Sequence, residues 1–416
     1  MAVRVGRATI DRLMTSTRNP KQVLIAGAGV AALEAALALQ ALTEDELSVE
    51  LVAPDAEFTY RPLAVTEPFR VGEVKRFPLR KLAEAAGARL RAGSVTAVDS
   101  ERKVVMVENG QELTYDILLL ALGARPREAV TGALTFRGPQ DGPALSALLD
   151  KMTAGEIHRI AFAVPTGAGW PLPLYELAVL TAEYATAHAT RGVETFFVTP
   201  EDHPLGLFGP TASNAVSELL ASREIQVKTS ATPIRFEAGA LSIVAERPIA
   251  VDAVVALPQL EGPRLPGVPS DEHGFVPIDE YGWVLGLSDV YAAGDLTQFP
   301  LKQGGIATQQ ADAAASSIAA DAGANVKPEP FRPVLRGLLI TGLAPRFLRA
   351  EATGAHSMVD TEPLWWPPAK IVGRYLTPFL AAKLGLAETA VGPLREGAIP
   401  IEVEFETSGR PAWTRV

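Results

Sequence analysis

Residues Lys21–Leu42 read KQVLIAGAGVAALEAALALQAL. The unbroken apolar run Val23–Ala26 suits a strand buried on both faces of a parallel sheet. Gly27-Ala28-Gly29-Val30-Ala31-Ala32 follows it, a G-x-G-x-x-A turn. In such a turn the first glycine allows the tight bend and the second lets the backbone approach a pyrophosphate. The small third residue, here Ala32, lets helix and strand pack closely. Leu33 and Leu37, set among alanines, predict a helix lying on a sheet. Alone, the pattern also fits a structural glycine turn. Between a strand and a helix near the N-terminus it reads as the nucleotide turn of an α/β layer.

Working outward, the next strand, in LSVELVAPDAEF, should end in an acid for a ribose hydroxyl. It ends instead at Ala53-Pro54, and Asp55 comes two residues late. Asp55 reads equally as the ribose partner or as the Asp of a Pro-Asp turn. Asn109-Gly110 between apolar runs predicts a hairpin. Ile117–Leu120 is a second buried strand, left through Ala121-Leu122-Gly123. Late in the chain a short strand, Val290–Ala293, ends at Gly294-Asp295. A loop with Lys302 and Gly304-Gly305 then opens an alanine-rich helix. An acid on a strand tip beside a helix N-terminus suits a polyol hydroxyl next to a ring carbonyl with partial negative charge.

The composition excludes several classes. The chain has 416 residues, enough for two or three domains. A net charge of −10 argues against a nucleic-acid partner. No apolar stretch approaches the ~20 residues of a membrane span. Residues 1–20 carry arginines and no apolar core, so they read as a loose extension rather than a secretory signal, and a cytoplasmic location is expected. There is no cysteine, hence no disulfide, thiolate nucleophile or redox dithiol. Histidines at 158, 188, 203, 273 and 356 show no close pairing of the metal-site kind, and no metal is expected. Redox chemistry would have to come from a bound organic cofactor.

Three ordered motifs, GAGVAA, YDILLLALGARP and VYAAGD, resemble those of the FAD-dependent pyridine nucleotide-disulfide oxidoreductases over about residues 20–320. Leu122 stands where that family usually has Thr. EFTYRPLAVTEPFRVGE and LKQGGIATQQADAAASSIA are similar to flavin-side segments of sulfide:quinone oxidoreductases, flavocytochrome c sulfide dehydrogenases and type II NADH dehydrogenases. The resemblance implies two Rossmann-like, glutathione-reductase-like domains that bind FAD and NAD(P)H. It places cofactor contacts at the Gly27–Ala32 turn, Asp55, Arg61, Val95, Ala121, Leu122, Gly123, Gly294, Asp295, Gly305 and Ile306.

A second glycine stretch, TGAGWPLPLYELA at Thr166–Ala178, is less regular. It resembles the proline-rich loop of the sulfide-oxidising relatives, with Trp170 near their redox-cysteine position, so persulfide chemistry is excluded. Pro171 and Pro173 offer no N–H to a phosphate, so nicotinamide binding is expected to be weak. Glu201, ending the strand in VETFFVTPED, is expected to favour NADH over NADPH. Trp170, Glu176 and Lys302 are the catalytic candidates. Trp170 reads as a stacking residue or as seam packing, Glu176 as a flavin-edge group or a solvated helix carboxylate, Lys302 as a charge stabiliser or a surface lysine.

The expected organisation is an FAD domain at 21–140 and 283–325, a nucleotide-like domain at 141–282, and a capping region at 331–416. Within the last, Val372, Tyr375, Leu376, Phe379 and Leu380 at helical spacing, with Lys370, Arg374, Lys383 and Trp365-Trp366, fit a membrane surface, a flavin cap or a homodimer seam. The expected activity is electron transfer from a small-molecule donor, NAD(P)H or a non-nicotinamide reductant, through FAD to a quinone-like acceptor. The alternative is a flavin-binding sensor without turnover.

Overall fold

A computed structural model describes residues 19–44, 46–190, 192–342, 347–350, 357–360, 369–383 and 398–404. The expected N-terminal extension lies almost wholly outside the described residues, as does Trp365-Trp366.

The opening stretch folds as β1 (Lys21–Ala26) and α1 (Val30–Leu42), followed by β2 (Leu47–Ala53). β3 (Glu57–Tyr60) and β4 (Lys75–Pro78) pair antiparallel, and a 3-10 turn at Arg61–Val65 lies in the segment between them. α2 (Leu79–Ala85) and β5 (Arg89–Ala92) come next. β6 (Val95–Asp99), β7 (Val104–Val107) and β8 (Glu112–Thr114) form an antiparallel flap. Its β7–β8 turn is the expected Asn109-Gly110, where Asn109 Oδ1 accepts from the Gln111 amide at 2.9 Å. β9 (Ile117–Leu120) returns to pair in parallel with β1.

The chain then crosses over through β10 (Arg125–Arg127) to β11 (Leu134–Thr135), α3 (Gly142–Thr153), β12 (Arg159–Ala163), α4 (Leu172–Ala187), β13 (Glu194–Val198), α5 (Pro210–Ser222) and β14 (Ile225–Lys228). A small antiparallel sheet follows, β15 (Pro233–Glu237), β16 (Ala240–Ile243) and β17 (Ile249–Ala250), then β18 (Ala253–Ala256) and β19 (Gln259–Glu261). Strand order in this half is β11-β18-β12-β13-β14, all parallel. β10 and β19 pair antiparallel where the chain enters and leaves it.

β20 (Val290–Ala292) completes the first parallel sheet, β20-β9-β1-β2-β5, and leads to α6 (Gly304–Ala322). α6 packs beside α1 through small residues such as Ala35, Ala38, Ala311 and Ala315, so the two helices come close together. Two segments depart from the expected domain limits. β11, expected in the first unit, pairs with β18 of the second sheet. Leu265 and Val276, expected in the second unit, sit in the first sheet's core, and the Val98 amide donates to Pro266 O at 2.9 Å. The change of sheet falls at β10 and β19, where the backbone pairs.

The C-terminal part holds β21 (Val334–Ile340), β22 (Phe347–Ala350), β23 (Ser357–Asp360), α7 (Leu376–Lys383) and β24 (Ala398–Glu404). The helical spacing expected from Val372 becomes a helix only at Leu376. Pro378 falls in its first turn, where a missing N–H breaks no helical bond. Leu376 and Leu380 are buried in the core that contains α1, so this apolar face is turned inward rather than toward a membrane. Among the described residues no helix is long and apolar enough to cross a membrane.

Candidate functional site

Gly27 takes φ +117°, and a Cβ there would lie 2.3 Å from Ala121 O. The end of β9 therefore presses on the turn, and only glycine fits. Gly29 differs: a Cβ on it would meet nothing within 4 Å. It caps α1 with no side-chain hydrogen bond. The amides of Val30, Ala31 and Ala32 have no acceptor within the helix. Open space facing uncapped amides at the carboxyl end of a parallel sheet is a fitting cradle for a pyrophosphate. Ala28 is half-buried beside it, and Ala32 is fully buried against the sheet. Gly294 brings the end of β20 to the same place, where a Cβ would stand 3.1 Å from Ala31 Cβ. Leu122 and Gly123 follow half-buried from β9, Val95 opens β6 half-buried, and Asp55 is exposed beyond the end of β2.

A cavity of about 280 Å³ opens between the two parallel sheets. Arg61, Asp295, Lys302 and Gly304 wall it from the first unit, Gly169 and Trp170 from the second, and Lys370 and Ile371 from the C-terminal segment. Burial pushes the Asp295 carboxyl above the ordinary range, and Lys302 and Arg61 pull it back. Lys302 is buried, not a surface lysine. Its Nζ donates to Thr297 O and lies 3.6 Å from the centre of the Phe275 ring. Burial lowers its pKa to about 8, against the pull of Asp295 and Asp271.

The start of α6 is less open than expected. Gln303 Oε1 accepts from the Ile306 amide at 3.0 Å, so that donor is already used. Gly304 lies under Ile371, whose Cγ1 would be 2.8 Å from an added Cβ. The Gly304 and Gly305 amides remain at this helix end, since neither has an acceptor within the helix.

The second glycine turn is locked to the first unit. The Lys302 amide donates to Gly169 O at 3.2 Å, and a Cβ on Gly169 would stand 2.7 Å from Lys302 Cγ. The Ala168 amide is spent on Pro165 O at 3.2 Å. Trp170 is half-buried, edge-on to Phe208 with ring centres 5.7 Å apart. Its indole thus packs on the seam and walls the cavity at once.

Two carboxylates stand elsewhere than expected. Glu201 does not end its strand as a free ribose acceptor. Its Oε2 takes the Tyr175 hydroxyl at 2.5 Å and the Thr199 hydroxyl at 2.9 Å. The cause lies in Tyr175, a wholly buried ring 4.1 Å from Phe197 whose hydroxyl needs an acceptor. Glu176 is neither solvated nor on the cavity wall. It is fully buried, accepting Lys370 Nζ at 2.5 Å and the Ile340 amide at 2.7 Å. Burial pushes the Glu176 carboxyl up and the Lys370 ammonium down, and each charge restrains the other's shift. Lys370, read from the sequence within a basic, aromatic segment that fits a membrane surface, a flavin cap or a dimer seam, has a side chain 6% exposed and lies on the cavity wall. No local pattern signals this contact, because its partners are 194 positions apart.

A family model described as pyridine nucleotide-disulphide oxidoreductase matches residues 21–315. Apoptosis-inducing factor 3 of Mus musculus is 28% identical over 233 residues, 51% of this chain. The match spans only about a third, 34%, of that relative's length. A NADH dehydrogenase-like protein of Mycobacterium tuberculosis is 26% identical over 297 residues, 66% of this chain and 72% of that one. Among solved structures, the sulfide:quinone oxidoreductase of Aquifex aeolicus superposes with a TM-score of 0.67 at 17% identity, over 72% of this chain and 77% of that chain.

Proposed function

The chain belongs to the pyridine nucleotide-disulphide oxidoreductase family, and from that premise we propose that it is an FAD-dependent oxidoreductase that carries electrons from a reduced nicotinamide to a quinone-like acceptor. The observation that carries this reading is the cavity between the two parallel sheets, walled by the Asp295 strand tip on one side and the Gly169–Trp170 turn on the other. FAD bound there supplies a two-electron relay between a hydride donor and the acceptor. The chain's own residues do the rest. The Gly29 turn and the first α1 amides receive the pyrophosphate. Asp295 accepts a ribityl hydroxyl. Lys302, charged below about pH 8, stabilises negative charge that develops in the cavity. Trp170 limits approach from the second sheet. With no cysteine in the chain, no dithiol or persulfide takes part.

A non-nicotinamide donor is the second reading. The observations that favour it are the turn locked on Lys302, the prolines at 171 and 173, and Glu201 held by Tyr175. Anaerobic mixing of the yellow protein with NADH or NADPH separates the two. Rapid bleaching supports the nicotinamide donor. Bleaching by dithionite alone supports the second reading. A protein that binds no FAD overturns both.

A further inference from the structure

The two glycine turns differ in what stands before them. At the first, a Cβ on Gly29 would meet nothing within 4 Å, and the first three α1 amides have no acceptor in the helix. At the second, the corresponding place is filled. A Cβ on Gly169 would lie 2.7 Å from Lys302 Cγ and 3.0 Å from Pro300 O. The first unit's own loop thus occupies the approach that a pyrophosphate would need. The start of α4 offers few donors besides. Pro171 and Pro173 have no N–H, and the Leu174 amide donates to Pro171 O at 2.9 Å.

The crevice beyond the turn is filled as well. Phe208, from the 3-10 turn Gly206–Phe208 after β13, is wholly buried and edge-on to Trp170. β21 lies against it, since a Cβ on Gly337 would stand 3.0 Å from both Phe208 Cζ and Leu172 Cδ1. Glu201 already accepts the Tyr175 and Thr199 hydroxyls, and the Leu205 amide donates to the Tyr175 hydroxyl at 3.3 Å. In a doubly wound sheet the pyrophosphate sits on the glycine turn and the adenosine ribose on the acid of the next strand. In this unit the chain itself takes both places. What the unit still presents is a cavity wall, on which Phe136, Leu257 and Pro258 join Trp170. An apolar wall suits the flat face of an uncharged ring.

We propose that the electron donor is recognised through its dihydronicotinamide ring alone, without its adenylate half. This rests on the electron-transfer reading above and deepens it by naming the donor class: a reduced nicotinamide of any size, the mononucleotide as readily as the dinucleotide, with NADH and NADPH alike. The step is a hydride transfer. The C4–H bond of the ring breaks, the hydrogen and both electrons pass to the oxidised flavin, and the ring leaves as a pyridinium. The adenylate takes no part in that step; in a dinucleotide site it serves binding only.

The test mixes the FAD-loaded protein anaerobically, in stopped flow, with NADH, NADPH and reduced nicotinamide mononucleotide at up to millimolar concentration. All three carry the same reactive ring. Their second-order rate constants for flavin bleaching should agree within about threefold, less than the factor that one net hydrogen bond to the adenylate would bring. A second readout needs no turnover: ADP titrated into the oxidised, FAD-loaded protein should give no binding heat in calorimetry. A working adenylate site would instead make NADH saturate and leave the mononucleotide slower by about ten- to a hundredfold, through the loss of charge-assisted hydrogen bonds. That result, or binding of ADP, overturns the proposal and leaves nicotinamide donation standing. If none of the three bleaches a flavin that dithionite still reduces, the nicotinamide donor itself is wrong and the proposal falls with it.

Discussion

Gly27 and Gly29 are two residues apart in one motif, yet they are glycine for different reasons. Gly27 is held by the protein, since its φ of +117° and the Ala121 carbonyl leave no place for a Cβ. Gly29 faces open space. Gly29→Val should therefore give a folded, thermally normal but colourless apoprotein, because the new side chain fills only the pyrophosphate's position. Gly27→Ala should lower the melting temperature of the apoprotein itself, by strain and by pushing back the end of β9. Calorimetric melting and FAD content of both variants, measured after stripping and reloading, check this. A yellow Gly29→Val protein would remove the pyrophosphate from this turn. The turn was legible in sequence because its glycines and the small Ala32 fall within one six-residue motif between a strand and a helix, although the carbonyl that presses on Gly27 comes from β9. Lys370 and Glu201 were not. Each is decided by a partner brought near only by folding, Glu176 at a separation of 194 and Tyr175 at 26. A lysine among aromatics reads as a snorkelling surface residue until its counter-charge is known.

At the scale of elements, the loop from Thr166 to Pro171 and α4 repeat the strand–turn–helix plan of β1 and α1 with a different outcome. The plan was legible, because β12 is a short apolar run and α4 follows it directly. The loop's docking was not, since Gly169 meets Lys302 across more than a hundred residues of sequence. Trp170 sits where the loop, Phe208 of the second unit and the cavity meet. Removing the indole should open the cavity toward the second sheet while the first glycine turn and Asp295 stay as they are. Trp170→Ala is expected to change the anaerobic reduction rate several-fold while retaining full FAD, with a modest loss of stability from the lost Phe208 contact. Stopped-flow traces beside FAD content and a melt distinguish the outcomes. An unaltered rate would mean that the indole is seam packing alone. α7 marks the opposite case. Its helical spacing was real, but periodicity cannot say whether an apolar face meets lipid or α1, and here Leu376 and Leu380 meet α1.

For the whole molecule, the C-terminal segment is tied to the first unit through a buried acid pair at the α1–α6 contact. Glu34 on α1 is fully buried and accepts the first two amides around the start of α7. Asp312 on α6 lies beside Glu34, so that the two carboxyls can share a hydrogen bond when one of them carries a proton. Burial, then the Glu34 charge and that hydrogen bond, push Asp312 up to about 8, with Glu329 adding to the shift and Arg374 opposing it. Burial also raises Glu34, against the bonds from α7. At neutral pH the pair keeps a proton that the unfolded chain has released. Where the native state binds more protons, stability falls as pH rises. The loss should run from the ordinary carboxylate range near pH 4 up to about pH 8 and then level off, with a slope of up to about 1.4 kcal/mol per pH unit for one retained proton. General charge repulsion in a chain of net charge −10 pulls the same way, so the comparison must be with a variant. Asp312→Asn reproduces the neutral form at every pH. It should flatten the slope between pH 5 and 8 and leave the protein at least as stable as the wild type at pH 8. Parallel slopes in the two melting series would mean that the pair holds no proton. In that event two carboxylates face each other ionised under α7, and the Tyr375 and Leu376 amides that Glu34 accepts must offset their repulsion.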